Sequence, residues 1–328
     1  MSMPTWHALA VDVGGSKCEA LLLESSGAVV GRGRCDFADP ASGRGRGGSG
    51  RSGATIAEAV RRAVDGHVLA GPLHLVTCGW MPDGAVAGLP GGALVGHAVA
   101  EHSAALALIG AEAGVVVLAG TGSLVYGRAE DGRSLQLDAL GPLLGDHGSG
   151  YQIGLMAIRA AARAPWHPRH ATSLAEPVYA ACAARHAGPG RFNMVDYMLE
   201  PRDRAEIAAL ARMVDGEARA GDRIARAILR DAAAGIAETL RDVVDRLDIA
   251  RAPLPLTGAG SVATRSRIYW DRLCELAARF APGLRPTPAR HPAVVGVALA
   301  GVSALPLDDP GAFRRRLLDE AGGAAPDA

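Results

Sequence analysis

The sequence predicts an α/β protein of two domains. Apolar segments typical of buried strands alternate with segments of helical spacing, which favours layers of sheet and helix over a helical bundle. A pattern of apolar strand, glycine turn, returning strand and turn begins at Ala8 and again at Val115, which indicates a duplicated core. A chain of 328 residues is long enough for two domains that each bury a core.

The first repeat opens with predicted strands. Apolar runs separated by the turn 24–27 predict these strands, and Ile56 and Val60 recur at helical spacing in the next element. In order, we predict strands at 8–13, 18–23 and 28–33, a helix at 54–68, a strand at 73–77 and a helix at 99–109. The Gly/Ser/Arg-rich segment 42–53 is predicted to be a solvated loop.

The second repeat follows the same order. Asp131 and Gly132 predict the turn between its returning strands, and a break near Gly221 divides a long helical stretch. We predict strands at 115–119, 124–128 and 134–137, a helix at 151–163, mostly helix over 204–247, a strand at 253–256 and a buried helix at 292–305. The predicted domains are 1–112 and 113–305, and 306–328 is predicted to be a tail with a short surface helix.

Charge and cysteine usage exclude several classes of protein. Lys and Arg total 34 and Asp and Glu total 34, so net charge gives no argument for a nucleic-acid or anionic-membrane partner. The cysteines are scattered without a CxxC pair, which argues against a zinc site, an iron–sulfur cluster or a disulfide framework. They are Cys18, Cys35, Cys78, Cys182 and Cys274. No signal-type segment or membrane span is expected, and we predict a cytoplasmic protein with reduced thiols.

Two glycine turns predict a phosphate site. The turns 12–17 and 120–123 each follow an apolar strand and offer backbone N–H groups beside small hydroxyls. Glycine lets the backbone approach an anion closely, and successive N–H groups can hold phosphate oxygens. Lys17 is the only lysine of the chain and lies in the first turn, where either a phosphate-binding or loop-structural role or chance retention explains it.

The order of the glycine segments resembles a known family. The segments 12–17, 120–123, 141–150, 220–222 and 258–261 occur as expected for BadF/BadG/BcrA/BcrD-type ATPases. Over roughly residues 7 to 305, the chain is most similar to the N-acetylglucosamine and glucosamine kinase-like branch. The resemblance implies two actin-like ATPase (ribonuclease H-like) domains, as in actin, hexokinase and Hsp70, with ATP and Mg²⁺ in a nucleotide cleft between them. It also implies a homodimer.

The resemblance implies a role for each glycine segment. Asp12 would organise Mg²⁺ through water, and the two turns would hold the phosphates of ATP. The implied nucleotide-binding residues are Gly14, Gly15, Ser16, Lys17, Gly120, Thr121, Gly122, Ser123, Gly258, Ala259 and Gly260, of which the last three would border adenosine.

The general base departs from the family pattern. Sugar-kinase relatives usually carry an Asn-Asp pair before the second phosphate strand, where the Asp takes the proton of the attacking hydroxyl. The comparable stretch here is 100–106 and holds no aspartate. Glu101 is the simplest replacement and His102 the alternative, and a solvated Glu-His pair with no base at all stays open.

The acceptor site departs as well. Relatives typically show Gly-Trp-Gly and then Gly-Asp-Glu-Gly-Ser, where this chain has Leu140 in place of the Trp and His147 in place of the Glu. These changes remove an aromatic face and a carboxylate that could bind a sugar. Asp146 is kept, and it is expected to bind substrate hydroxyls or act as a reserve base, unless it caps the helix that follows.

The sequence therefore predicts an ATP-dependent kinase for an amino sugar such as N-acetylglucosamine or glucosamine. One alternative is an ATPase that drives a partner protein, although the relatives of that type hold an iron–sulfur cluster for which no suitable cysteine pair exists here. Another is a nucleotide-binding regulator or inactive kinase relative, because the Asn-Asp pair is missing.

Overall fold

The computed structural model describes residues 6–15, 17–37, 53–69, 71–87, 89, 94–186, 192–200 and 203–322. The central strands are buried along most of their length, as expected for sheets covered by helices on both faces. They are β1 (His7–Val13), β2 (Lys17–Glu24), β3 (Val29–Asp36), β4 (Leu73–Cys78), β5 (Leu94–Val99), β6 (Gly114–Ala119), β7 (Ser123–Arg128), β8 (Ser134–Asp138), β9 (Pro255–Ala259) and β10 (Arg285–Pro286).

Helices connect and cover these strands. They are α1 (Gly53–Val64), α2 (Glu101–Ile109), α3 (Gly150–Arg163), α4 (Ala175–Ala183), α5 (Met194–Leu199), α6 (Arg204–Ala208), α7 (Leu210–Ala220), α8 (Arg223–Leu247), α9 (Gly260–Arg265), α10 (Arg267–Phe280), α11 (Ala293–Ala300) and α12 (Pro310–Ala321). The predicted break in the long helical stretch is confirmed: Gly221, at φ +109°, ends α7, and the Asp222 side chain caps α8.

The first compact unit comprises residues 1–112 and 287–328. Its sheet has the order β3-β2-β1-β4-β5, with β1 antiparallel to β2 and parallel to β4. One face of β1 packs with α2, α11 and α12 through residues such as Ala10 and Val295, and the other packs with α1 through Val11 and Ile56. The unit is therefore a sheet with a helical layer on each face.

The second compact unit comprises residues 113–286. Its sheet has the order β10-β9-β6-β7-β8, with β6 antiparallel to β7 and parallel to β9. The strands share one core with α3, α8 and α10, in which Val117, Ile236 and Leu240 are fully buried. The strand order repeats that of the first unit, so the duplication predicted from the two strand–turn–strand patterns is confirmed.

The C-terminal end belongs to a different unit from the one the sequence predicts. Residues 287–305 are predicted to lie in the C-terminal domain and 306–328 to form a surface tail, but 287–305 and the described residues 306–322 pack with the first unit. The apolar helix α11 lies against α2 and β1, and α12 buries Phe313 and Leu317 in the same core. Burial of these apolar faces, which chain order does not reveal, decides the assignment.

The sequence does not predict the edge strand β5, because most of its side chains are exposed and Gly96 interrupts its apolar run. Among the helices of the described residues, none is long and apolar enough to cross a bilayer.

Candidate functional site

The first predicted phosphate turn lies at the carboxyl end of β1. The parallel strands β1, β4 and β5 end at the same edge of the sheet, since Asp12 is paired in register with Cys78 and Cys78 with Val99. The Gly14 N–H donates to the carbonyl of Lys17 at 2.9 Å, which closes the turn. Gly14, Gly15 and Lys17 therefore lie at this edge, as predicted, and Ser16 lies outside the described residues.

The only lysine is paired within the sheet. Lys17 Nζ lies 2.6 Å from Glu19 Oε2, and Arg34 Nη1 lies 3.6 Å from the other oxygen of Glu19. Glu19 is directly opposite Asp12 on β2. The ammonium group of Lys17 is thus held by a neighbouring carboxylate beside the turn.

Asp12 carries a strongly perturbed carboxyl group. Burial raises the pKa of Asp12 to about 7, and the carboxylates of Glu101 and Glu19 add to the rise, while Lys17 opposes it. Glu101 is therefore electrostatically close to Asp12, although the two residues are far apart in the chain. Two neighbouring carboxylates of this kind favour either a shared proton or a cation.

Glu101 and His102 form the first turn of α2, directly after β5. Glu101 is exposed, and His102 is half-buried. Burial lowers the pKa of His102, which favours its neutral imidazole. The structure thus places both predicted base candidates at the sheet edge that carries Asp12, and it brings the Glu101 carboxylate within electrostatic reach of that residue.

The second predicted phosphate turn connects β6 to β7. The Gly120 N–H donates to the carbonyl of Gly122 at 2.9 Å. The first backbone N–H groups of α3 donate to carbonyls of this turn. Gly150 N–H donates to Gly120 O at 2.7 Å, and Tyr151 N–H donates to Thr121 O at 3.3 Å. The half-buried Thr121 hydroxyl makes no hydrogen bond to any residue that the structure describes, so it is available to an anion.

Two residues of the predicted site contact the second turn. Asp146, which is expected to bind substrate or act as a reserve base, has a buried side chain, with Oδ1 accepting from Ser123 N–H at 3.1 Å and Oδ2 paired with Arg204. It does not cap α3, because Ser149 accepts from Gln152 N–H there. The Ser123 hydroxyl, expected on phosphate, is buried and donates to the carbonyl of His147 at 2.8 Å.

Asp138 holds the segment that follows β8. Its carboxylate accepts from the backbone N–H of Asp146 at 2.7 Å and of His147 at 3.1 Å, and it lies 3.3 Å from His147 Nδ1. Asp138 and Asp146 both adopt positive φ, near +71° and +57°. Neither Asp138 nor Arg204 was singled out from the sequence, because their contacts span chain separations that no local motif encodes.

The predicted adenosine segment lies beside the second turn. A Cβ on Gly260, which has φ +79°, would lie 2.5 Å from the carbonyl of Ala119, so the end of β9 and the end of β6 touch. Gly258 is buried within β9, where a Cβ would lie 2.9 Å from the Trp270 ring. Ala259 and Gly260 are therefore the members of this segment at the sheet edge.

The residues around Asp12 suit a cation bound partly through water. No group of three or more His, Cys, Asp or Glu with metal-ligand geometry occurs in the described part of the chain. Magnesium keeps several waters and takes one or two carboxylates together with substrate phosphates. The raised pKa of Asp12 beside Glu101 marks a carboxylate pair whose repulsion a divalent cation would relieve.

Two α/β units share one strand order, and each has a glycine turn after a central strand, so the chain has the two-domain α/β architecture expected of an actin-like ATPase. The profile of the BadF/BadG/BcrA/BcrD ATPase family matches residues 9–301. The chain belongs to that family.

Two curated relatives agree with this assignment. An N-acetylmuramic acid/N-acetylglucosamine kinase of Clostridium acetobutylicum is 30% identical over 181 residues, which are 54% of this chain and 58% of the relative. An N-acetyl-D-glucosamine kinase of Dictyostelium discoideum is 29% identical over 163 residues, 49% of this chain and 50% of that one. The chain thus spans between half and three fifths of these relatives' lengths.

The structural likeness extends further along the chain. A solved structure from Chromobacterium violaceum, described as a candidate N-acetylglucosamine kinase, has a TM-score of 0.63 and 20% identity. It covers 92% of this chain and 99% of its own. At that identity the likeness shows the two-domain actin-like fold.

Proposed function

We propose that this protein is an ATP-dependent kinase that transfers the γ-phosphate of ATP to a hydroxyl of an amino sugar such as N-acetylglucosamine or glucosamine. Its membership of an ATPase family and the names of its curated relatives support this class of reaction. The observation that carries the proposal is the closeness of the Glu101 carboxylate to Asp12 at the carboxyl edge of the first sheet. Phosphoryl transfer to an alcohol needs a metal-organising carboxylate and a base that orients the hydroxyl.

Each residue set has a proposed task. The backbone N–H groups of the turns 14–15 and 120–122, with the Thr121 hydroxyl, would bind phosphate oxygens. Asp12 would hold the waters of a Mg²⁺ ion, which supplies charge neutralisation to the phosphates when bound. Lys17 is held by Glu19 2.6 Å away, and it supports the first turn rather than acting as a mobile cation.

Glu101 is the proposed general base. Its exposed carboxylate can accept the proton of a sugar hydroxyl while that oxygen forms a bond to the γ-phosphorus and the bond to ADP breaks. His102 is the second candidate, because burial favours its neutral, proton-accepting form. The free cysteines of the described chain and the use of ATP fit the cytoplasm, and the homodimer stays a prediction.

The decisive experiment measures ADP release with Mg·ATP and a panel of amino sugars, N-acetyl sugars and neutral hexoses. Sugar-dependent turnover that falls by about 100-fold or more in Glu101→Gln supports the proposal, since general-base catalysis typically contributes 10²–10⁴-fold. Glu112→Gln, at an exposed carboxylate of the same unit, is the matched control and should keep wild-type turnover.

The remaining outcomes contradict the proposal in distinct ways. ATP hydrolysis that is independent of any sugar would indicate an ATPase that drives a partner. Tight ATP binding without turnover on any acceptor would indicate a regulator or inactive relative. Loss of turnover in His102→Asn but not in Glu101→Gln would reassign the base to His102.

A further inference from the structure

An exposed tryptophan follows β4 at the edge of the sheet that carries Asp12. Trp80 lies two residues beyond Cys78, which is paired in register with Asp12 on one side and with Val99, before α2, on the other. Both Asp12 and Glu101 act electrostatically on the Cys78 thiol, after burial the largest influences on its raised pKa. The chain thus leaves β4 between the two carboxylates, and Trp80 is the first large side chain beyond that point.

The turn that presents Trp80 is anchored on both sides. Gly79 has φ +85°, and a Cβ there would lie 2.3 Å from the carbonyl oxygen of Val13, so the turn lies tightly against the end of β1. After Trp80, the half-buried Met81 packs against the core, and the buried Ala85 donates its N–H to Pro82 O at 2.9 Å. The indole is therefore attached to fixed backbone.

The exposure of this ring lacks a structural explanation within the fold. Trp80 is 52% exposed, whereas Trp6 of the same unit is 4% exposed and belongs to the core. Single exposed apolar residues are common on protein surfaces. What distinguishes Trp80 is its position, two residues beyond the end of a strand that is paired in register with Asp12 on one side and with Val99, just before Glu101, on the other.

We propose that the Trp80 indole packs against the apolar C–H face of a pyranose ring, and so selects cyclic sugars as the phosphoryl acceptor. This inference rests on the proposed kinase function and deepens it. A pyranose with equatorial hydroxyl groups presents a flat patch of axial C–H bonds, and an aromatic face offers matching apolar surface and a negative quadrupole. Open-chain polyols present no such flat face.

Steady-state kinetics with Trp80→Phe and Trp80→Ala test the proposal. For the sugar identified in the ADP-release panel, KM should rise about 10-fold in Trp80→Ala and less than about 3-fold in Trp80→Phe, since aromatic packing contributes roughly a factor of 2 to 10 beyond area burial. KM for ATP should not change. Trp166→Ala, which removes a 70% exposed tryptophan of the second unit, is the matched control and should leave both KM values unchanged.

A binding measurement without ATP separates this inference from the proposed function. Calorimetric titration of a pyranose such as N-acetylglucosamine should give binding to wild type that Trp80→Ala weakens about 10-fold, and that sugar should protect wild-type fluorescence from acrylamide quenching. Equal sugar affinity or KM in wild type and Trp80→Ala would overturn the inference even if the kinase reaction is confirmed. Absence of pyranose binding to wild type would overturn it as well. Weakened sugar binding in Trp80→Ala would support the packing of the Trp80 indole against the pyranose ring even if no sugar is phosphorylated.

Discussion

Replacing Asp12 with asparagine should stabilise the first unit of the nucleotide-free protein, and it should do so more strongly at pH 8 than at pH 5. The pKa of Asp12 is raised from 3.8 to about 7 by burial and by the neighbouring Glu101 carboxylate. A carboxyl group whose pKa is raised in the folded state contributes its stability at low pH and loses it as the pH rises toward 7. The amide of asparagine has no such titration.

The magnitude follows from the two pKa values. At pH 8 the folded protein holds an ionised Asp12 at a disadvantage of about 4 kcal/mol relative to the unfolded chain, at about 1.4 kcal/mol per pKa unit. At pH 5 the folded group is protonated and the disadvantage is about 2 kcal/mol. Both figures are upper limits, because a half-buried carboxylate keeps some contact with water. The difference between pH 5 and pH 8 is the diagnostic quantity.

Urea unfolding in EDTA at both pH values measures this difference. Asp65→Asn, at an exposed turn of the same unit, serves as the matched control. At pH 8, added Mg²⁺ should stabilise wild type but not Asp12→Asn. A gain in Asp12→Asn that is the same at both pH values would refute the reasoning, and so would a loss of stability at pH 8.

Two further predictions concern the second glycine turn. Arg204→Ala should lower the unfolding free energy of the second unit by about 1–3 kcal/mol in a denaturant titration, because it leaves the buried carboxylate of Asp146 without its ion-pair partner; unchanged stability would contradict the role given to that pair. Gly122→Ala should weaken ATP binding by at least 10-fold in calorimetry, because its Cβ would lie 2.8 Å from Asp146 Oδ1 and force the turn to move. Gly216→Ala, in the open interior of α7, is its control and should gain up to about 1 kcal/mol of stability while ATP affinity stays at the wild-type value.

Local pattern was sufficient for most of the fold and for the two turns. Apolar runs and glycine turns identify β1, β2, β6 and β7, because a strand covered on both faces carries a nearly continuous apolar run wherever it lies. The edge strand β5 buries little, so its sequence resembles a loop. Helix α11 is apolar all round, which predicts burial but not which sheet it covers.

The residues of the candidate site also differ in whether local sequence predicts their roles. Backbone features such as the turn at Gly120 are encoded within a few residues, and the sequence predicts them. The roles of Asp146 and Trp80 depend on partners and neighbours that the fold brings from elsewhere, since Arg204 lies 58 residues beyond Asp146. An aspartate between glycines has the same local pattern whether it binds a substrate or supports a loop.

The path of the chain through the two units has a consequence for synthesis on the ribosome. The first sheet is complete once β5 has been made, but α11 and α12, which cover one of its faces, emerge only after the whole second unit. Until then, Ala10 and Val76 lack their apolar partners, and Arg314 has yet to donate to the carbonyl of Ala107 at 2.7 Å. The second unit can therefore finish folding before the first, and a ribosome that stops short of α11 would release a chain whose N-terminal sheet lacks α11 and α12 on one face.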